Sequence, residues 1–336
     1  MSEENREDVE EVEGEEEEPR GLYERMKQND TGSWELWVRI AVGVFALQVA
    51  AFAVAFMRLG DVSVYAHSVV IPMAGFSTML LMFVGLMWSI FRPPVFRRSR
   101  FIAFICLLLV GFCGNQPLLE APVSTGDFVS EHEYYLPFDG PWVTLAGGDA
   151  RRTNYHAVTP SFRWAYDFAP LVDGSRYSGD GSRLEDHHCY GREVRSPVGG
   201  VVVQATGAEV DHPPGEMDPT NLLGNHVVIR VGEGEYLFLG HLKRGSLEVG
   251  ASDEVVPGQL LARCGNSGRS YTPHLHVHLQ NKRAFPIAEG LPLRFSHYLA
   301  DGEAVEQGMP VGSPDYETVV GEIVENNRPW AFEYEY

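Results

Sequence analysis

The sequence has no Cys-x-x-Cys pair, so a structural zinc knuckle finds no support. Cysteine is sparse, with 4 in 336 residues. Cys106 and Cys113 fall in an apolar segment, where packing is a sufficient explanation. Cys189 and Cys264 lie far downstream; they either pair, if that region faces an oxidising compartment, or stay as buried thiols. Lysine is nearly missing (Lys27, Lys243, Lys282), and acidic residues outnumber basic ones 46 to 26, for a formal charge of −20. That balance makes nucleic acid an unexpected partner. No internal repeat is visible. The long apolar runs carry almost no charge, which argues against a transporter or sensor that works within the bilayer.

Acid dominates the first 20 residues, with a run at Glu15, Glu16, Glu17 and Glu18. Like-charge repulsion makes this a solvated tail. Apolar segments follow at about 40–57, 62–91 and 101–112. A helix needs roughly 20 apolar residues to cross the hydrocarbon layer, so about three transmembrane helices are expected. The runs lack the polar stripe of a soluble helix. Their repetition behind an acidic tail fits a cleaved signal peptide poorly. The loop between the second and third carries Arg92, Arg97, Arg98 and Arg100, which marks a cytoplasmic side. Arg20, Arg25 and Lys27 place the N-terminus on the same side, and the chain after about Pro117 outside. The expected organisation is a cytoplasmic acidic tail (1–33), a membrane region (34–118), a linker (119–131) and a domain from 132 to 336.

In that domain short β-type runs alternate with Gly and Pro. Candidate strands cover 142–145, 193–205, 226–231, 236–241, 260–264 and 274–280. An all-β domain on antiparallel sheets is expected.

The chemistry concentrates in a few stretches. Gly265-Asn266-Ser267-Gly268 leads through Pro273 into His274-Leu275-His276-Val277-His278. Alternate strand positions share a face, so the imidazoles of His274, His276 and His278 point one way. Such spacing can set one imidazole on a metal and its neighbour on a bound water. A second stretch is Asn154-Tyr155-His156, followed by Arg163-Trp164-Ala165-Tyr166-Asp167-Phe168. A carboxylate among aromatics on a strand is costly to bury without a partner, which a metal or an arginine would supply. The third is the apolar strand 236–240 that ends at His241.

Taken together, residues 154–280 resemble the lysostaphin-type, LytM-like zinc endopeptidases, whose fold is called the duplicated hybrid motif. The resemblance includes Ser196-Pro197-Val198-Gly199-Gly200, Gly224-Asn225-His226, His241-Leu242 and the Gly-Asn-Ser-Gly to His-Leu-His stretch. It implies Zn2+ as cofactor, Asp167 and His276 as metal ligands, and His241 and His274 as the catalytic pair. The family usually has His four residues before the ligand Asp, where this chain has Arg163. An Asn-x-His segment before Arg-x-Ala-x-Asp points to His156 as the third ligand, with His187 and His188 as fallbacks. His226 and His278 read as supporting or surface residues. The implied activity is membrane-anchored metalloendopeptidase acting on peptidoglycan peptides; the alternative is a degenerate module that binds wall peptides or regulates a partner hydrolase.

Overall fold

The computed structural model describes residues 34–92, 97–115, 120–284, 287–314 and 321–327. The acidic tail and the aromatic C-terminal residues 330–336 lie outside the described residues. Three helices come first: α1 (Leu36–Phe56), α2 (Asp61–Phe91, with one π-helical turn at Ala66–Val70) and α3 (Arg98–Asn115). α1 and α2 are long and apolar enough to cross a membrane. α3 covers the third expected span but is not among these helices; it has 18 residues and opens with Arg98 and Arg100. Arg100 is buried and bonds Glu35 at 2.7 Å.

The chain divides into two compact units, one of residues 1–48 and 73–115, the other of 49–72 and 116–336. The second unit contains an eleven-stranded antiparallel sheet and a separate two-stranded one. In chain order the strands are β1 (Trp142–Ala146), β2 (Tyr166–Pro170), β3 (Glu193–Arg195), β4 (Gly200–Thr206), β5 (Asn225–Gly232), β6 (Glu235–Leu242) and β7 (Glu254–Val255). They continue with β8 (Leu260–Arg263), β9 (Leu275–Gln280), β10 (Gly290–Leu291), β11 (Phe295–Ala300), β12 (Glu303–Gly308) and β13 (Ile323–Asn326). The large sheet runs β12-β11-β13-β1-β2-β9-β6-β5-β4-β7, with β10 beside β9; the small one pairs β3 with β8. The expected run 193–205 is therefore two strands in two sheets, divided where Ser196-Pro197-Val198-Gly199 interrupts the ladder.

β9 sits centrally between β2 and β6. Its Leu275, Val277 and Leu279 enter the main core, which frees the alternate positions for chemistry. Each such fully buried side chain contributes roughly 1.5–3 kcal/mol. Cys189 and Cys264 form a disulfide with 5.7 Å between Cα atoms, which decides between the two readings of these cysteines. It is buried in the same core.

Before β1 the backbone lies along the β domain. The Ala121 N–H donates to the Ala157 carbonyl at 2.7 Å. Ser124 gives Glu289 two hydrogen bonds of 2.6 and 2.7 Å. Ser130 and Tyr134 both donate to the Glu235 carboxylate, at 2.6 and 2.8 Å.

The Gly265–Gly268 turn interlocks with the start of β5. Gly224 and Gly268 are both left-handed, at φ +59° and +72°, and a Cβ on either would lie 2.4 or 2.3 Å from the other segment's backbone. Ser267 Oγ accepts from the Asn225 N–H at 2.9 Å and donates to the Leu242 carbonyl at 2.8 Å. Both glycine-bearing sequence signals are thus halves of one tight contact. Gly268→Ala should destabilise the protein by about 1–3 kcal/mol from backbone conformation alone, before the clash is added. Thermal melting of the full chain checks this; a change within error of zero would contradict it.

Candidate metal centre

A single 3-10 turn, Tyr155–Val158, carries the first site residue. Asn154 builds it. The buried Asn154 Oδ1 accepts from the His156 N–H at 3.1 Å, while its Nδ2 donates to the Gly148 and Ala165 carbonyls at 2.9 and 3.2 Å. This is an N-cap that also ties the turn to the approach of β2. Asp167 and His276 are brought together differently: they are direct cross-strand partners of β2 and β9. On the other side of β9, Gly240 of β6 is opposite His276.

The Asp167 carboxylate is the focus. It is 0% exposed. Its Oδ1 lies 2.9 Å from His276 Nδ1 and 3.6 Å from His274 Nε2. Its Oδ2 lies 3.0 Å from His156 Nε2 and accepts from the Tyr155 hydroxyl. Among the described residues no Arg or Lys pairs with it, so the arginine partner that the sequence left open is not the one used. A buried carboxylate without a fixed cation, ringed by imidazole nitrogens, is the donor set that suits a divalent metal such as zinc. His156, Asp167 and His276 offer ligand atoms all within 4.8 Å of one another, and they form a group able to hold a metal ion.

His241 and His274 flank this group, with ring centroids 4.8 Å apart. His241 ends β6 in the left-handed region, at φ 57°. A non-glycine residue held there carries strain that the surrounding contacts must sustain. Its N–H donates to the Leu223 carbonyl at 2.8 Å, and the Gly265 N–H donates to its carbonyl at 3.0 Å. His241 Nδ1 is 2.9 Å from the Ser267 carbonyl, and His274 Nδ1 is 2.7 Å from the Thr272 carbonyl. Carbonyls only accept, so each Nδ1 carries hydrogen, and burial keeps His241 neutral with a bare Nε2.

The site opens on a cleft of about 540 Å³. Phe162, Met217, Leu222 and Leu223 give it apolar walls, and exposed Arg269 and Tyr271 stand on its lining.

All five residues singled out in sequence therefore meet at one place. Arg163 does not. It is buried and turned to the Asp149 carbonyl (2.6 Å) and the Glu120 carboxylate (2.9 Å). The fallback His187 bonds the Gly181 carbonyl at 3.0 Å, and neither it nor His188 is in the metal-holding group. His226 bonds Gln204 and the Gly224 carbonyl, at 2.8 and 2.7 Å. His278 stands directly behind His276, 3.0 Å away. Tyr155 is the residue that sequence reasoning passed over. Its position beside His156 was the only signal.

Residues 185–286 match the model of Peptidase family M23. The matched span contains His241, His274, His276 and both disulfide cysteines; His156 and Asp167 precede it. Solved structures similar to this chain include a zinc-containing peptidase from Vibrio cholerae, at 18% identity over 52% of this chain and 39% of that one, TM-score 0.29. Lysostaphin from Staphylococcus simulans is 17% identical over 48% of this chain and 52% of that one, TM-score 0.28. The M23 metalloprotease pseudoalterin, from the deep sea, is 16% identical over 59% of this chain and 94% of that one, TM-score 0.32. The chain thus spans about two fifths to a half of the length of the first two. No curated protein matches it.

Electrostatics inside the β domain favours neutral imidazoles at several of these positions. Burial, reinforced by neighbouring imidazoles, pushes His156, His241 and His278 well below the ordinary histidine range. A histidine whose folded pKa is depressed binds fewer protons than its unfolded form. Its contribution to stability is complete above the unfolded value of about 6.5 and is lost as pH falls below it. With chelator present, the melting temperature should fall progressively from pH 7 to pH 5. A flat profile over that window would contradict neutral, buried imidazoles.

Proposed function

We propose that the β domain is a zinc metalloendopeptidase that cleaves peptide bonds, with peptidoglycan cross-links as its substrate. His156, Asp167 and His276 hold the metal, and His241 and His274 are the catalytic pair. The observation that carries this reading is the fully buried Asp167 carboxylate, compensated by His156 and His276 nitrogens at 3.0 and 2.9 Å rather than by a fixed cation. Zinc, when bound, supplies Lewis-acid polarisation of a carbonyl and brings the pKa of water toward ~7.

The chain's own residues do the rest. The Ser267 and Thr272 carbonyls hold His241 and His274 with hydrogen on Nδ1, and the neutral His241 keeps a bare Nε2. Burial keeps His241 neutral near pH 7, the form that can accept a proton from attacking water. His274, beside the Asp167 carboxylate, is placed to stabilise the charge that develops on the carbonyl oxygen once protonated. Tyr155 and Asn154 keep the ligand turn and the carboxylate in register. The apolar walls of the cleft strip water from a bound peptide, which strengthens every charge interaction within it.

The same reading anchors the chain through α1 and α2, with the N-terminus cytoplasmic and the β domain outside. The arginines around α3 and the Cys189–Cys264 disulfide support that side assignment. The departure at Arg163 favours a non-catalytic module only if nothing replaces the missing ligand; on this reading His156 takes that role, supported by its place in the group able to hold a metal ion.

His274→Ala should lower hydrolysis by about 10²-fold or more with zinc content unchanged. Asp167→Ala should lose zinc and activity together. Release of amines from purified sacculi, read beside metal content, tests both. Undiminished release by His274→Ala would refute its role. A zinc-loaded wild type that releases nothing would make the domain a binder.

A further inference from the structure

The catalytic reading leaves two fully buried polar side chains unused. His278 and Gln280 are both 0% exposed and follow His276 on the same face of β9. His276 Nε2 is 3.0 Å from His278 Nδ1, and His278 Nε2 is 3.3 Å from Gln280 Oε1. Gln280 Nε2 is 2.6 Å from the Lys282 carbonyl. We propose that Gln280 and His278 are positioning residues which fix the hydrogen on His276 Nε2, and so hold its Nδ1 lone pair ready for the metal, through a one-way chain of hydrogen bonds that starts at the Lys282 carbonyl.

Each link follows from the one before. The Lys282 carbonyl can only accept, so the amide NH2 of Gln280 must face it. Oε1 of Gln280 is then turned to His278 and can only accept there. His278 must therefore carry its hydrogen on Nε2, which leaves Nδ1 bare. A bare Nδ1 accepts from His276, whose hydrogen is thereby placed on Nε2. The lone pair of His276 Nδ1 then lies 2.9 Å from Asp167 Oδ1. Two acceptors at that distance repel unless a cation sits between them. With a bare Nδ1 on His276, the chain of bonds thus favours a cation at the point where the three ligand groups converge.

Packing holds the ring plane of His278, and its two hydrogen bonds select the flip state. Its ring is stacked on Phe238, with centroids 4.6 Å apart and planes at 13°, and meets the edge of Phe162 at 4.7 Å. Gln280 carries no charge and burial disfavours one on His278, so the device orients His276 without adding a second buried carboxylate behind the metal.

This inference rests on the zinc reading above, and the test separates the two. In the full chain, zinc affinity is measured by chelator competition for wild type, Gln280→Leu and the double variant Gln280→Leu/His278→Glu. Gln280→Leu should bind zinc about 10–100-fold more weakly. The double variant should recover to within a few-fold, because a carboxylate at 278 accepts from His276 directly and needs no orientation from 280. Nitrogen-15 NMR of the wild type should show His278 with hydrogen on Nε2. Wild-type affinity in Gln280→Leu, or hydrogen on Nδ1 of His278, overturns the proposal. If Gln280→Leu does not fold, the His278 tautomer decides alone. A wild type without zinc affinity refutes the metal reading and leaves that tautomer measurement decisive for the relay.

Discussion

Asp167 lies at the centre of a continuous sheet, shielded from water, on a strand that is apolar on both sides. A lone carboxylate in such a place would be expected to take up a proton or to unfold its surroundings. Here the surroundings are arranged around it instead. Strand pairing supplies His276 as its direct neighbour, a capped turn supplies His156 and Tyr155, and the entry to β9 supplies His274. The histidines arrive from separate parts of the chain, and each is fixed by backbone hydrogen bonds or cross-strand register rather than by its own side-chain freedom. That is the precondition for a metal site with defined geometry.

The rest of the domain keeps that cluster from relaxing. The interlocked glycine turns hold the Ser267 carbonyl where His241 needs it, and they hold the left-handed backbone of His241 itself. The disulfide joins the approach to β3 with the end of β8, directly before the Gly265 turn. A cross-link of this span is worth on the order of 2–5 kcal/mol. Strain at His241 is thus sustained by rigid neighbours on several sides.

Much of this was legible in the residues. Alternation in His274-Leu275-His276-Val277-His278 gave both a strand and a shared face, because leucine and valine demand the core. The site residues followed from a resemblance in motif order, which survives where overall identity is low. What stayed hidden has physical causes. β7 and β10 have two residues each, too few for any periodicity. β12 is a largely exposed, polar edge strand with no buried face to alternate. β11 and β13 are recognisable only from their pairing partners. The third expected span falls on α3, whose helix begins with arginines; among the described residues α1 and α2 are the helices long and apolar enough to cross a membrane. The role of Tyr155, and the link from Gln280 to His276, depend on atoms meeting in space; composition does not encode them.

The stretch ahead of β1 has a bearing on how the β domain is held. Its backbone shares a hydrogen bond with Ala157, the residue next to His156, and its Glu120 neutralises Arg163 a few residues before Asp167. A pull on this stretch from its N-terminal side would meet the contact at the 155–158 turn before those at Glu289 and Glu235. A shortened protein that begins after Ala121 would free the Ala157 carbonyl and leave Asp149 as the acidic partner of the buried Arg163, a few residues before Asp167.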